Sequence, residues 1–156
     1  MIFQNPMTSL DPVFTIGYQI EENLKTHTAL NRQQRKQKVY DLLKIVGISN
    51  PEIRRRQYPH ELSGGMRQRV MIAMAIACNP KIIIADEPTT ALDVTIQAQI
   101  LQLLYRLKKQ LHMSMIFITH DFSVVAQISD RIAVMQEGKI VEIGETKQIL
   151  NTPTHH

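Results

Sequence analysis

Apolar side chains along this chain recur with two different spacings, one typical of helices and one typical of strands. Recurrence at helical spacing predicts helices at residues 16–26, 32–46, 66–78 and 96–111. Gly47 follows the second stretch as a stop signal, and Asn79 and Pro80 end the third. Asp93 stands where the N-cap of the fourth helix is expected. The first three helices form a small helical region ahead of the rest of the chain.

Short, uninterrupted apolar runs predict strands in the second half of the chain. The run at residues 82–85 is typical of a strand covered on both faces in a parallel sheet, and residues 115–119 predict a second buried strand. A short helix and two further strands are expected at residues 122–128, 131–135 and 140–143. Glu137 and Gly138 supply the turn between the last two strands. Because strands alternate with helices, we expect an α/β fold with a mostly parallel sheet flanked by helices.

Composition places the chain among ordinary globular domains. Of its 156 residues, 44% are apolar and 21% are charged, which excludes a disordered or fibrous protein and favours one domain. No apolar run approaches the ~20 residues of a membrane-spanning helix. The start of the chain lacks the apolar core of a secretory signal, so a cytoplasmic location is expected. Cys78 has no partners at zinc-site spacing and is interpreted as a small core residue.

The net charge of +4 raises the possibility of a nucleic-acid or anionic membrane partner. The basic residues at 32–38 and 54–56 are not interleaved with aromatic side chains that would stack on bases. A solvated basic face is therefore the better interpretation, and no nucleic-acid partner is expected.

Two adjacent carboxylates, Asp86 and Glu87, follow directly on the predicted strand at residues 82–85. Open α/β sheets bind their ligands beyond the carboxyl ends of the strands. In Mg²⁺-assisted phosphoryl transfer one carboxylate helps hold the cation, while another group orients or deprotonates the attacking water. Asp86 fits the first role and Glu87 the second. Taken alone, such a pair is more often explained by capping of the turn that follows.

Ser63, Gly64 and Gly65 lie directly before the predicted helix at residues 66–78. The serine hydroxyl, the bare backbone N–H groups and the positive end of the helix dipole would all favour an anion there. The alternative is a simple N-cap with two flexible glycines. His120, taken alone, is more often an ordinary histidine at the end of a strand.

Motifs along the chain resemble, in order, those of ABC-type ATPases. They are Gln4 (Q-loop), residues 62–69 (LSGGMRQR, signature), residues 82–89 (IIIADEPT, Walker B), residues 91–93 (ALD, D-loop) and residues 118–121 (ITHD, H-loop). The resemblance implies a partial P-loop NTPase domain over residues 1–156. Within it, about residues 12–78 would form a helical subdomain with the signature, and about residues 79–150 the C-terminal part of the catalytic core.

The resemblance extends to a subfamily through residues 1–10, 58–62 and 89–95, which are similar to the oligopeptide, dipeptide and nickel importer ATPases. Met66 replaces the glutamine of many signatures, as is usual in peptide importers. The implied function is ATP hydrolysis coupled to peptide uptake, with nickel as the alternative substrate. The implied partners are a second ATPase subunit, two membrane permease subunits and, indirectly, an extracytoplasmic substrate-binding protein. The implied location is peripheral, at the cytoplasmic face of the membrane.

The same resemblance implies a role for each site residue, with ATP and Mg²⁺ as cofactors. Gln4 and Asp86 would contact Mg²⁺, Glu87 would act as general base, and His120 would sense the γ-phosphate. The residues that would contact ATP bound by the opposite subunit are Ser63, Gly64 and Gly65. Asp93 joins the nucleotide-binding residues through the D-loop.

A phosphate-binding loop, Gly-x-x-x-x-Gly-Lys-Ser/Thr, is not found in the sequence. Gly138 is followed by Lys139, but Ala133 and Ile140 stand where the first glycine and the Ser/Thr should be. We therefore expect an N-terminally truncated fragment, inactive alone, with Met1 inside a domain and a frayed tail at residues 151–156. The alternatives are a non-hydrolytic module that docks on a partner ATPase or permease, and an ABC-type ATPase acting on nucleic acid, which the importer-like segments disfavour.

Overall fold

The structure, a computed structural model, describes residues 1–90 and 92–152. Ala91 of the expected D-loop and residues 153–156 of the tail that we expect to be frayed lie outside the described residues, whereas Asn151 is the last residue of a helix. The chain divides into two compact units, Met1–Ile116 and Phe117–His156. The expected division near residue 79, between a helical subdomain and a catalytic core, stays a prediction.

The first unit contains the four longer helices that the sequence predicts. Its helices are α1 (Pro6–Ser9), α2 (Ile16–His27), α3 (Arg32–Ile45), α4 (Pro51–Arg54), α5 (Gly64–Ile76) and α6 (Val94–Gln110), with a 3₁₀ turn at Pro59–Glu61. The helices predicted at residues 16–26, 32–46, 66–78 and 96–111 are thereby confirmed. None of the described helices is both long and apolar enough to cross a membrane.

Side-chain caps explain where three of these helices begin. The Thr15 hydroxyl accepts from the backbone N–H of Tyr18 ahead of α2. Asn31 forms a reciprocal capping box with Gln34 at the start of α3. Asp93 accepts from the backbone N–H of Ile96 at 2.9 Å, which confirms its predicted place as the N-cap of α6.

The core of this unit is built from aliphatic side chains on the inner faces of the long helices. Fully buried examples from α2, α3, α5 and α6 are Ile20, Leu43, Ile72 and Leu104. Burying each such side chain contributes about 1.5–3 kcal/mol to folding. Gly17 lets α2 approach the backbone after α4, since a Cβ there would lie 2.6 Å from the Arg55 carbonyl oxygen. The Gly17 N–H uses this closeness to donate to the same oxygen at 2.9 Å.

Two strands, β1 (Ile82–Asp86) and β2 (Ser114–Ile118), pair in a two-stranded sheet. The expectation that β1 is covered on both faces is wrong, because its side chains alternate between a buried and an exposed face. Ile83 and Ala85 are buried, whereas Ile82 is 59% exposed and Ile84 37% exposed. The expectation that the second strand is buried is also wrong, because its residues alternate between half-buried and exposed, with Ile116 54% exposed.

Cys78 also departs from its expected place, since it is exposed rather than a core residue. The helix α5 ends at Ile76, so Cys78 falls in the turn beyond it, outside the buried helical face.

The second unit carries an antiparallel hairpin of β3 (Arg131–Gln136) and β4 (Lys139–Glu145), between helices α7 (Phe122–Ile128) and α8 (Thr146–Asn151). Glu137 and Gly138 adopt φ angles of 51° and 76°, the left-handed pair that a tight two-residue hairpin requires. The predicted helix, strands and turn of this region are confirmed. The Thr146 hydroxyl donates to the carbonyl oxygen of Ser129 at 2.8 Å, which fixes the start of α8 against the end of α7.

Removing a core side chain from α2 should test this packing directly. We expect Ile20→Ala to lower the free energy of unfolding by about 2–5 kcal/mol, because the side chain is fully buried and its loss leaves a cavity. Ile53→Ala is the matched control, since Ile53 is 63% exposed and its loss should change stability by less than about 0.5 kcal/mol. Urea unfolding followed by circular dichroism measures both, and equal losses would contradict the assigned core.

Candidate functional site

The start of the chain runs beside β1 and brings Gln4 to the carboxyl end of that strand. Ile2 forms a parallel bridge with Ala85, in which the Ile2 N–H donates to Ile84 at 2.8 Å and the Asp86 N–H donates to Ile2 at 2.9 Å. Parallel segments end at the same edge of a sheet. Gln4 and Glu87, each just beyond the paired residues, therefore meet there.

The meeting of Gln4 and Glu87 is a direct hydrogen bond. Gln4 Nε2 donates to Glu87 Oε2 over 2.9 Å. The Thr90 hydroxyl donates to the same carboxylate oxygen, also over 2.9 Å. Two neutral donors, one from the start of the chain and one from the following turn, thus hold the carboxylate of Glu87. Asp86 lies half-buried at the end of β1.

The backbone at Glu87 is held in an uncommon conformation. Its φ angle is 42°, in the left-handed region that side chains other than glycine seldom adopt. The following residue, Pro88, further disfavours helical and similar compact conformations at the residue before it. The Thr90 N–H closes the turn by donating to the Glu87 carbonyl oxygen at 3.1 Å. Strain of this kind is found preferentially at functional sites, where the surrounding structure maintains it.

The Ser-Gly-Gly corner lies at the start of α5, against the start of α6. Ser63 caps α5 by accepting from the Met66 N–H at 3.3 Å, so the simple N-cap interpretation holds for its hydroxyl. A Cβ on Gly65 would lie 2.8 Å from Ile96 Cγ2, so the approach of the two helices requires glycine there. Gly64 lies beside Leu92, directly before the cap residue Asp93.

Polar side chains on the first turns of α5 tie this helix to its surroundings. Gln68 Nε2 donates to the Pro88 carbonyl oxygen at 2.6 Å, and Arg67 Nε donates to the Pro59 carbonyl oxygen at 2.7 Å. Arg69 donates through Nη1 to the Val46 carbonyl oxygen at 2.7 Å, and partial burial lowers the pKa of its guanidinium. Sequence reasoning missed Gln68. The available signal was a polar residue on the buried face of a helix, next to apolar neighbours.

The predicted site residues fall into three places. Gln4, Asp86 and Glu87 come together at the carboxyl end of β1. Ser63, Gly64, Gly65 and Asp93 come together where α5 and α6 begin. His120 lies in the second unit, between β2 and α7, and its part in the site stays a prediction.

Asp121, next to His120, caps α7. Its carboxylate accepts from the Ser123 hydroxyl at 2.6 Å and from the Ser123 N–H at 2.9 Å. These hydrogen bonds, the one from the hydroxyl first, hold the pKa of Asp121 below its usual value.

Comparison with known proteins gives a family match and close relatives. The sequence profile described as "ABC transporter" matches residues 1–90. The chain is 61% identical over 155 residues to the dipeptide transport ATP-binding protein DppD of Haemophilus influenzae, covering 99% of this chain and 47% of the relative. It is 57% identical to the oligopeptide transport ATP-binding protein OppD of Bacillus subtilis, covering 99% of this chain and 43% of the relative. The chain thus spans about half the length of these curated relatives.

A solved structure shares the fold. The dimeric, post-hydrolysis state of the ATP-binding cassette MJ0796, bound to ADP and Pi, superposes with a TM-score of 0.78 at 31% identity, over 93% of this chain and 61% of that one. The predicted fold class, the α/β fold of the ABC ATPase cassettes, is confirmed by this match.

The cap of α7 gives a pH-dependent prediction. We expect Ser123→Ala to raise the pKa of Asp121, because the variant loses the hydroxyl that donates to the carboxylate. Since the folded-state pKa of Asp121 is lowered, its contribution to stability is present above the unfolded-state pKa and is lost as the pH falls through the folded-state pKa. Ser129→Ala, which removes a hydroxyl at the other end of α7, is the control.

NMR titration of the Asp121 carboxyl carbon measures the pKa in all three proteins. An unchanged titration midpoint in Ser123→Ala would contradict the assigned cause of the shift.

Proposed function

The chain belongs to the ABC transporter ATP-binding family, and we propose that its residues serve in the ATP-hydrolysing subunit of a bacterial importer that takes up short peptides. The observation that carries the hydrolytic part is the hydrogen bond between Gln4 and Glu87 at the end of β1. The peptide substrate is supported by two relatives, whose names assign them to dipeptide and oligopeptide transport. Nickel remains the alternative substrate class.

Glu87 is proposed as the general base that takes a proton from the attacking water. A base must be held within hydrogen-bond reach of the proton it removes. The donors Gln4 and Thr90 both bind Oε2, so they fix the orientation of the carboxylate. The left-handed backbone at Glu87 fits a group held in place for one task.

Asp86 and Gln4 are proposed as the Mg²⁺ contacts. Mg²⁺ prefers oxygen ligands and is usually held by one or two carboxylates together with waters and phosphates. Gln4 donates to Glu87 through its nitrogen, so its amide oxygen is the atom available to a cation. Within residues 1–90 and 92–152 no group of three or more His, Cys, Asp or Glu side chains forms a metal cage. When bound, Mg²⁺ would neutralise charge on the phosphates of ATP.

The Ser-Gly-Gly corner is proposed to contact ATP bound on a second ATPase subunit. Ser63, Gly64 and Gly65 stand at the N-terminus of a helix of 13 residues, where backbone N–H groups and the helix dipole favour a phosphate. Asp93 caps α6 beside this corner and would complete the site. A dimeric arrangement is supported by the solved cassette bound to ADP and Pi, which is a dimer.

The proposed assembly places this subunit at the cytoplasmic face of the membrane. It would bind two permease subunits there, and act indirectly with an extracytoplasmic substrate-binding protein. His120 is proposed to sense the γ-phosphate. A non-hydrolytic docking module is the second candidate, because residues 1–156 contain no Gly-x-x-x-x-Gly-Lys-Ser/Thr loop and hydrolysis needs one.

The role of Glu87 is tested in a protein that joins residues 1–156 to a phosphate-binding loop. We expect Glu87→Gln to lower kcat by about 10²–10⁴-fold, since it removes a general base, while the ATP dissociation constant changes little. Glu137→Gln is the matched control, because Glu137 is an exposed glutamate with a similar left-handed φ of 51°. ATP turnover and nucleotide affinity are measured for each variant. Equal losses of affinity and turnover would reassign Glu87 to a structural role.

The proposed Ser-Gly-Gly contact predicts unequal sites when this chain pairs with an intact ATPase subunit. The partner's loop and this chain's Ser63 would enclose one ATP, so Ser63→Arg should weaken ATP binding about ten-fold or more through steric exclusion. Glu87→Gln in this chain should change that binding very little, because the partner supplies its own base. Asn31→Arg is the control, since it also removes an exposed N-cap, at α3.

Fluorescent-nucleotide titration of the reconstituted pair gives these affinities. If Glu87→Gln weakened the ATP affinity of the pair while Ser63→Arg left it unchanged, the shared-site arrangement would be contradicted.

A further inference from the structure

Gln68 lies on the inner face of α5 and has only 1% of its surface exposed. Its Nε2 donates to the Pro88 carbonyl oxygen at 2.6 Å. A carbonyl oxygen can only accept, so the nitrogen is the atom that faces Pro88. Gln68 Oε1 is buried and has no hydrogen-bond partner among the described residues.

This arrangement is costly if Gln68 serves only to pack α5. A buried oxygen without a partner costs free energy, and an apolar side chain of the same shape avoids that cost. Packing therefore does not require glutamine at this position. What the glutamine supplies is a hydrogen-bond donor to the Pro88 carbonyl oxygen.

The Pro88 carbonyl belongs to the turn that presents Glu87. Glu87 has a φ of 42° and precedes a proline, so its backbone relaxes unless its surroundings hold it. The Thr90 N–H closes the turn from one side by donating to the Glu87 carbonyl oxygen. Gln68 also holds the turn, through its buried bond of 2.6 Å to the Pro88 carbonyl oxygen.

The same helix carries the Ser-Gly-Gly corner at its N-terminus. Gln68 lies on the second turn of α5, and Ser63 caps the first. The geometry thus joins the corner to the turn of Glu87 through one side chain.

We propose that Gln68 is a positioning residue for ATP hydrolysis: it holds the turn of residues 87–90 so that the Glu87 carboxylate meets the attacking water. This inference rests on the proposed ATPase function.

The test uses the ATPase subunit assembled with its phosphate-binding loop. Gln68→Met keeps the length of the side chain and removes the donor. We expect kcat to fall about ten- to a hundred-fold, as for a small misplacement of a reacting group, with the KM for ATP within about two-fold of the unmodified protein. Arg106→Met is the matched control, because it removes a side-chain bond to the Ile45 carbonyl oxygen outside the signature and should leave kcat unchanged below the melting transition.

A double variant separates positioning from general loss of structure. If Gln68 acts through Glu87, then Gln68→Met should cause no further fall in kcat when Glu87→Gln is already present. The proposal would be overturned if the double variant lost kcat by the product of the two single losses. It would also be overturned if Gln68→Met kept the kcat of the unmodified protein. Should Glu87→Gln alone leave turnover intact, the proposed function itself fails, a result distinct from either of these.

Gln68→Glu keeps the test decisive if Gln68→Met does not fold. Its carboxyl group can donate to the Pro88 carbonyl only when protonated. The kcat of this variant relative to the unmodified protein should therefore rise as the pH is lowered from about 8 to about 6. A ratio that stays flat over this range would overturn the proposal.

Discussion

The carboxylate of Glu87 is held from two directions, and the rest of the site depends on this restraint. Gln4 reaches it from the start of the chain and Thr90 from the turn that follows, both at Oε2. The contact from Gln4 depends on the parallel bridge between Ile2 and Ala85, which brings two distant segments to one sheet edge. A pairing of backbone groups therefore determines where the chemistry of the side chains takes place.

Helix α5 also contacts the turn at this sheet edge, through the bond from Gln68 to Pro88. Its start carries Ser63 and the closely packed Gly65, and its next turn carries Gln68 and Arg69, whose side chains bond to backbone carbonyls elsewhere in the first unit. Each of these bonds satisfies a carbonyl that would otherwise need water. One helix thus links the proposed nucleotide contact to the turn that presents Glu87.

Much of this arrangement could be predicted from the sequence where the signal is local. The periodicity predicted α2, α3, α5 and α6, and Asp93 was placed correctly as a cap because capping depends on neighbouring residues only. Ile82 was expected to be buried and is exposed, because an apolar run does not reveal whether one or both faces of a strand are packed. Cys78 was misplaced for a similar reason, since its position depends on where α5 ends.

Contacts between residues far apart in the sequence could not be predicted in this way. The resemblance to ABC-type ATPases named Gln4 and Glu87 but did not predict their hydrogen bond, and Gln68 went unnoticed because its partner lies in another segment. Residue spacing alone does not determine which side chains meet across a fold.

The most direct measurement of the central claim is an NMR titration of glutamine side-chain amides with ATP and Mg²⁺, in the subunit that includes a phosphate-binding loop. If the Gln4–Glu87 pair lies at the hydrolysis site, the Gln4 amide resonances should shift saturably with ATP, while those of Gln37, which bonds Asp41 on the surface of α3, should not. ATP binding with no shift at Gln4 would contradict the claim.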